Sequence, residues 1–192
     1  MKCMMCESLS LTHICSSCQE KFLQPQIYKR NIQNTQVISF YKYKEIKKLL
    51  HTKHTDLGYH LFNILAKNSF QRFAKEFQYP YKVNSIAIDD KSNYAYSHTA
   101  ILNKHLKSKN IEPLFNKLRA NNTVNYSGKS KAFRLQNPRN FQLLDVNFNE
   151  VILIDDIITT GITLNEAILT LKQNGIKPLF CLTLADSSEA NK

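Results

Sequence analysis

Apolar positions along the chain switch repeatedly between two spacings. Residues 37–43 read as a short strand, after which Ile46, Leu49 and Leu50 recur at helical spacing with Lys44, Lys47, Lys48 and Lys53 on the other faces. Leu57, Leu61, Ile64 and Leu65 open a longer amphipathic helix. The pattern carries it to Phe77, with Asp56 as its expected N-cap and Tyr79-Pro80 as its end. From there strand and helix patterns alternate. Residues 85–89 predict a buried strand, 97–108 a helix with Ala100, Ile101, Leu102 and Leu106 as apolar positions, and 112–119 a further strand. A long polar stretch, 121–140, reads as a functional loop. Residues 151–154 are a buried strand, 164–171 a helix stopped at Gly175, and 178–184 the last strand, with the tail from Asp186 to Lys192 expected to fray. Strand, helix and strand at this spacing make a βαβ unit, so the expected class is α/β, a parallel sheet flanked by helices.

The first 25 residues have no such periodicity, but they hold four of the five cysteines as Cys3-x2-Cys6 and Cys15-x2-Cys18. Two thiolates separated by two residues sit on one tight turn, and two such turns can close a tetrahedron around Zn²⁺. The intervening segment contains no glycine and must turn on Ser8, Ser10 and Thr12. Four cysteines fill a structural site without His13, and so short a segment would take its folding energy from the metal. Reactive surface thiols are the other reading. Cys181 lies in an apolar run and reads as a small buried residue. The expected division is a zinc-binding knuckle over 1–25, closed by Pro25, and a larger domain over 36–186.

The chain has 192 residues, 26 Lys+Arg against 15 Asp+Glu and a net charge of +11. That length suits one domain of about 150 residues with a small appendage. No stretch approaches the roughly 18 consecutive apolar residues of a spanning helix, and Met1-Lys2-Cys3-Met4-Met5-Cys6 lacks an apolar signal region, so no membrane insertion and a cytoplasmic location are expected. The basic excess fits either a solvated surface or a polyanionic partner such as nucleic acid or a phosphorylated metabolite.

One segment carries specific chemistry: Val151-Ile152-Leu153-Ile154-Asp155-Asp156-Ile157-Ile158-Thr159-Thr160-Gly161-Ile162-Thr163. Its apolar strand delivers two carboxylates to the strand's carboxyl end, where open α/β sheets bind ligands. Carboxylates there can accept hydrogen bonds from vicinal hydroxyls, as on a ribose. The Thr-Thr-Gly-x-Thr turn into a helix offers hydroxyls and backbone N–H groups to a phosphate, and Gly161 allows close approach. There is no Gly-Lys-[Ser/Thr] ending, so this is not a nucleotide-triphosphate loop of the Walker type. A strand end followed by an ordinary capping box is the structural alternative.

These thirteen residues resemble the phosphoribosyl pyrophosphate (PRPP) signature of type I phosphoribosyltransferases. A four-cysteine knuckle ahead of such a signature resembles the ComF family of bacterial competence proteins, ComFC-type members included. The resemblance implies a phosphoribosyltransferase-type domain over 36–186, with Asp155 and Asp156 on the ribose hydroxyls, Ile157, Ile158, Thr159, Thr160, Gly161, Ile162 and Thr163 around the 5′-phosphate, and Mg²⁺ accompanying the pyrophosphate. Structural Zn²⁺ on Cys3, Cys6, Cys15 and Cys18 is expected beside it. It also implies a role in natural transformation, handling incoming single-stranded DNA, with other competence or DNA-processing proteins as partners. Where many family members carry Pro-Val-Pro and a basic stretch, this chain has Ala87-Ile88-Asp89, then Asp90-Lys91 and Ala95-Tyr96-Ser97-His98. Lys129, Arg134 and Arg139 are candidate replacements for the lost positive charge and, with Phe133 among them, candidate DNA contacts. A working phosphoribosyltransferase on a nucleobase-like acceptor is the alternative, with His98 as a candidate general base. A PRPP-sensing regulator is a third reading, weakened because no helix-turn-helix pattern is evident.

Overall fold

The computed structural model describes residues 1–53, 55–89, 96–122, 124 and 130–188. Helix α1 (Ser16–Phe22) is followed by strands β1 (Tyr28–Ile32) and β2 (Thr35–Lys42), then helices α2 (Tyr43–Leu50), α3 (Asp56–Asn68) and α4 (Phe70–Glu76). Strand β3 (Val83–Asp89), α5 (His98–Lys104), β4 (Ile111–Ala120), α6 (Lys131–Gln136), β5 (Phe141–Leu143), β6 (Glu150–Ile158), α7 (Ile162–Gln173) and β7 (Lys177–Asp186) complete the chain. The strands form one seven-stranded sheet in the order β1-β2-β7-β6-β3-β4-β5. Its five inner strands are mutually parallel, while β1 and β5 pair antiparallel at the two edges. The expected parallel α/β sheet is thus present, with antiparallel borders that the sequence pattern does not reveal.

Each face of the sheet carries its own core, because successive side chains of a strand point to opposite sides. Ile152 and Ile154 of β6 pack with Ile46, Leu61, Phe62, Leu65, Phe70 and Leu102 from α2 to α5. Val151 and Leu153 pack with Leu164, Ala167, Ile168 and Leu171 of α7. Those four α7 residues are 0–1% exposed, and burial of each Leu or Ile contributes roughly 2 kcal/mol. The first core also takes in Cys3, Ile14, Cys18 and Leu23 of the N-terminal segment. That segment is tied down by Tyr41, whose buried hydroxyl donates to the Leu23 carbonyl at 2.9 Å, and by Asn68, whose Nδ2 donates to Gln19 Oε1 at 2.9 Å.

The expected helix to Phe77 is instead two helices. The apolar spacing runs through, but Ser69 Oγ donates to the Leu65 carbonyl at 2.7 Å and Asn68 Nδ2 to the Ile64 carbonyl at 2.9 Å. Side chains that compete for backbone groups in this way favour a break. Thr55, not Asp56, caps α3, accepting from the Gly58 N–H at 3.2 Å. The 97–108 helix is shorter than expected, ending at Lys104. The 121–140 stretch holds α6, capped by Ser130 Oγ on the Phe133 N–H at 3.2 Å.

Candidate functional site

The chain leaves β3 through α5 on one face of the sheet and β6 through α7 on the other. Adjacent parallel strands whose connections diverge in this way open a crevice at their carboxyl ends, the place where doubly wound sheets take ligands. Asp155 and Asp156 lie there. By strand alternation Asp155 continues the face of Val151 and Leu153, and Asp156 that of Ile152 and Ile154.

The α7 side holds a small, partly open cavity lined by Asp155, Ile157, Ile158, Thr159, Gly161, Ile162 and Thr163, with Arg134 reaching in from α6. Gly161 has φ +80°, a left-handed turn that L side chains avoid, and a Cβ there would stand 2.5 Å from Ile32 Cδ1. The turn therefore lets the loop double back against β1 before α7 begins. Arg134 Nη1 donates to Thr159 Oγ1 at 2.9 Å. Asp155 Oδ1 accepts the Asp156 N–H at 2.8 Å. A carboxylate, hydroxyls and a guanidinium around a glycine turn can accept hydrogen bonds from ligand hydroxyls and donate them to an anionic group. Of the segment's signature residues, Asp156 and Thr160 do not line this cavity.

Asp156 is engaged on the opposite side. Its Oδ1 accepts the Ile157 N–H at 2.7 Å, and its Oδ2 meets both Lys53 Nζ and His98 Nε2 at 3.1 Å. Burial alone would raise the Asp156 carboxyl, but Lys53 and His98 outweigh it and hold the group well below the usual carboxylate range. A carboxylate whose folded pKa is depressed adds stability that is full above its unfolded value of roughly 4 and is lost as pH falls below it. The stability gap between wild type and Asp156→Asn is therefore expected to be about 3 kcal/mol at pH 7 and to shrink steadily below pH 4, read from denaturant melts. A gap independent of pH would show that this ion pair does not form.

Lys53 and Arg30 escape sequence reasoning as site residues because they lie 103 and 129 positions from their partners in β6 and its loop. Arg139 is not at the cavity; its backbone N–H donates to Glu166 Oε2 of α7 at 2.9 Å. Lys129, Asp90 and Lys91 lie outside the described residues.

The four N-terminal cysteines converge. All four Sγ atoms lie within 4.8 Å of one another, and those of Cys6 and Cys15 are 3.7 Å apart. Zn–S bonds of about 2.3 Å in a tetrahedron require sulfurs about 3.8 Å apart. The Cys15 and Met5 N–H groups donate to Cys3 Sγ at 3.3 and 3.4 Å, which favours a thiolate. The Cys15 N–H, with other donors, lowers the Cys3 thiol to about 6, while burial and the neighbouring sulfurs push Cys18 up to about 12. The four sulfurs fit a metal ion such as zinc, which would relieve the repulsion between thiolates. No helix among the described residues is long and apolar enough to cross a membrane.

No family model and no curated protein sequence matches the chain. Among solved structures, it is loosely similar to a hypoxanthine phosphoribosyltransferase from Staphylococcus aureus, at 17% identity over 67% of this chain and 64% of that one, with a TM-score of 0.42. The match thus spans under two thirds of that enzyme. A hypoxanthine-guanine phosphoribosyltransferase from Bacillus anthracis gives 22% identity over 67% and 68% of the two chains, TM-score 0.40. An adenine phosphoribosyltransferase gives 14% identity over 90% and 91%, TM-score 0.43. Likeness this loose assigns no residue a role, so the site's own geometry must supply it.

Proposed function

We propose that the chain is a ComF-like competence protein that binds Mg²⁺-PRPP at the carboxyl end of β6 and handles incoming single-stranded DNA in natural transformation. The observation that carries the ligand is the shared cavity: Asp155 and the Thr159–Gly161–Thr163 turn face one space, with Arg134 at its rim. In this reading Asp155 accepts the ribose hydroxyls and the loop's N–H and hydroxyl groups take the 5′-phosphate. Asp156 orders Lys53 and His98 beside it. Zinc on Cys3, Cys6, Cys15 and Cys18 holds the 1–25 knuckle against the 36–186 domain. Support for a polyanionic partner comes from the net charge of +11 and from α2, whose Lys44, Lys47 and Lys48 are exposed on one helix.

A working phosphoribosyltransferase is the second reading, favoured by His98 and Lys53 meeting at Asp156 beside the cavity. Both readings share the PRPP site. The experiment is calorimetric titration of Mg²⁺-PRPP, and separately of an oligothymidylate, into wild type, Asp155→Ala and a Lys44/Lys47/Lys48→Ala variant. Asp155→Ala is expected to weaken PRPP at least 100-fold, and the triple variant to weaken DNA and flatten its salt dependence while leaving PRPP unchanged. Equal PRPP affinity in wild type and Asp155→Ala would dismiss the site. Steady pyrophosphate release with a nucleobase present would move the conclusion to the second reading.

A further inference from the structure

The edge strand β1 turns Tyr28, Arg30 and Ile32 inward and Lys29 and Asn31 outward. An arginine on the inward face of an edge strand is costly to bury, and an apolar side chain would brace the sheet as well. Arg30 is nonetheless there, and it points at the loop that follows β6. Its Nη2 donates to the Thr159 carbonyl at 2.8 Å. Its Nε lies 3.5 Å from Asp186 Oδ2 and is a buried donor with no hydrogen-bond partner. The Arg30 and Asp186 side chains are 25% and 10% exposed, so the pair is only weakly screened by water. Two positions along the same face, Ile32 fills the space that a Cβ on Gly161 would need. Arg134 of α6 donates to the hydroxyl of the same Thr159.

A phosphate cradle needs its carbonyls turned out and its N–H groups turned in. Arg30 holds the Thr159 carbonyl in a hydrogen bond, and Thr159 lines a cavity that Arg30 itself does not line. It also brings a guanidinium to the back of a loop whose own sequence carries no positive charge. We infer that Arg30 is a positioning residue of the phosphate cradle: from the N-terminal edge strand it fixes the Thr159 carbonyl and lends the loop a positive charge, which Asp186 partly offsets. The inference rests on the phosphoribosyl reading of this cavity.

A residue that only braces the fold and one that lends charge differ in the sign of one substitution. Removing Asp186 loosens Arg30 mechanically but frees its charge. Inorganic phosphate and ribose 5-phosphate are titrated calorimetrically into wild type, Arg30→Met, Arg30→Lys and Asp186→Asn, with thermal melts alongside. Arg30→Met is expected to weaken both ligands roughly tenfold, Arg30→Lys to recover part of that loss, and Asp186→Asn to bind a few-fold more tightly than wild type while melting lower. If Asp186→Asn weakens binding in step with Arg30→Met, Arg30 is a brace alone and the inference falls. It falls equally if Arg30→Met binds like wild type. Should Arg30→Met fail to fold, the opposed signs of Arg30→Lys and Asp186→Asn decide the matter. A wild type that binds neither ligand overturns the phosphoribosyl reading itself, and this inference with it.

Discussion

Stripping the zinc-loaded protein with a chelator at neutral pH is expected to lower its melting temperature by on the order of 10 °C and to expose the amides of residues 1–24 to exchange first. Residues 1–24 bury little that could hold them without a metal: Ile14 and Leu23 are the only aliphatic residues there under 9% exposed, whereas Leu9 and Leu11 are 88% and 99% exposed. Cys3 and Cys18 are 1% and 5% exposed, so without a metal a Cys3 thiolate and a Cys18 thiol are left in the core with no metal–sulfur bonds to offset their burial. The damage is expected to spread to α3 and α4. His13 stacks on His60 at 4.5 Å, and Arg72 Nη1 donates to Gln24 Oε1 at 2.7 Å, so those helices lose partners when the segment detaches. Strand β6 and helix α7, which draw on the other core through Val151, Leu153, Leu164 and Ile168, are expected to keep their protection. Hydrogen exchange followed by mass spectrometry separates the outcomes. An unchanged melting point would remove zinc from the folding of this segment, and loss of protection everywhere at once would remove the division between knuckle and domain.

The second large effect is expected from Gly58→Ala. Alanine is ordinarily the better residue inside a helix, by about 1 kcal/mol. Here the sign is reversed by what lies against α3. A Cβ on residue 58 would overlap the Thr52 carbonyl oxygen and the Tyr96 hydroxyl, and would stand 2.8 Å from the Thr52 carbonyl carbon. The Thr52 carbonyl is part of a tight turn, accepting from the Thr55 N–H at 2.9 Å and the Thr55 hydroxyl at 2.8 Å. Tyr96 closes over that turn, its hydroxyl donating to the carbonyls of Lys53 at 2.7 Å and Thr55 at 3.0 Å. Backbone cannot step aside as a flexible side chain can, so a loss of about 3 kcal/mol is expected. Because Lys53 rides on this turn, the same substitution is expected to part it from Asp156 and to reduce the acid sensitivity to the share that His98 confers. Urea melts at pH 7 and pH 3 test both effects. A Gly58→Ala protein as stable as wild type would mean that the turn and Tyr96 relax without cost.

The parts of the site legible in the sequence are those whose chemistry is local. Two Cys-x2-Cys pairs and the run from Asp155 to Thr163 each bring their groups together within a few residues, so spacing alone reveals them. Strand β1 hides because its inward face is Tyr28, Arg30 and Ile32, an alternation in which the middle member is charged. Helix α1 hides because Cys18 is its one buried residue and gives no period to detect. The break at Ser69 is masked by apolar spacing that continues across it from Leu65 to Phe73. Hardest to read is the separation of Asp155 from Asp156. Adjacent acids on a strand necessarily point apart, but which of them meets a cavity and which meets Lys53 and His98 depends on the helices packed against each face.

The place of β2 in the sheet bears on how the molecule comes into being. Its parallel neighbour is β7, the last strand, and the two are joined in the interior by the hydroxyls of Ser39 and Thr183, 2.6 Å apart and 144 residues distant in the chain. A ribosome releases the N-terminal hairpin long before the strand that anchors it. Until then β2 offers an unpaired apolar edge, the kind of surface that chaperones hold and that invites misassembly. The seam between β2 and β7 is therefore a long-range pairing of the kind that closes slowly in folding. Only when it forms does Arg30 reach the Thr159 carbonyl, so the loop after β6 takes its shape in the same event that closes the sheet.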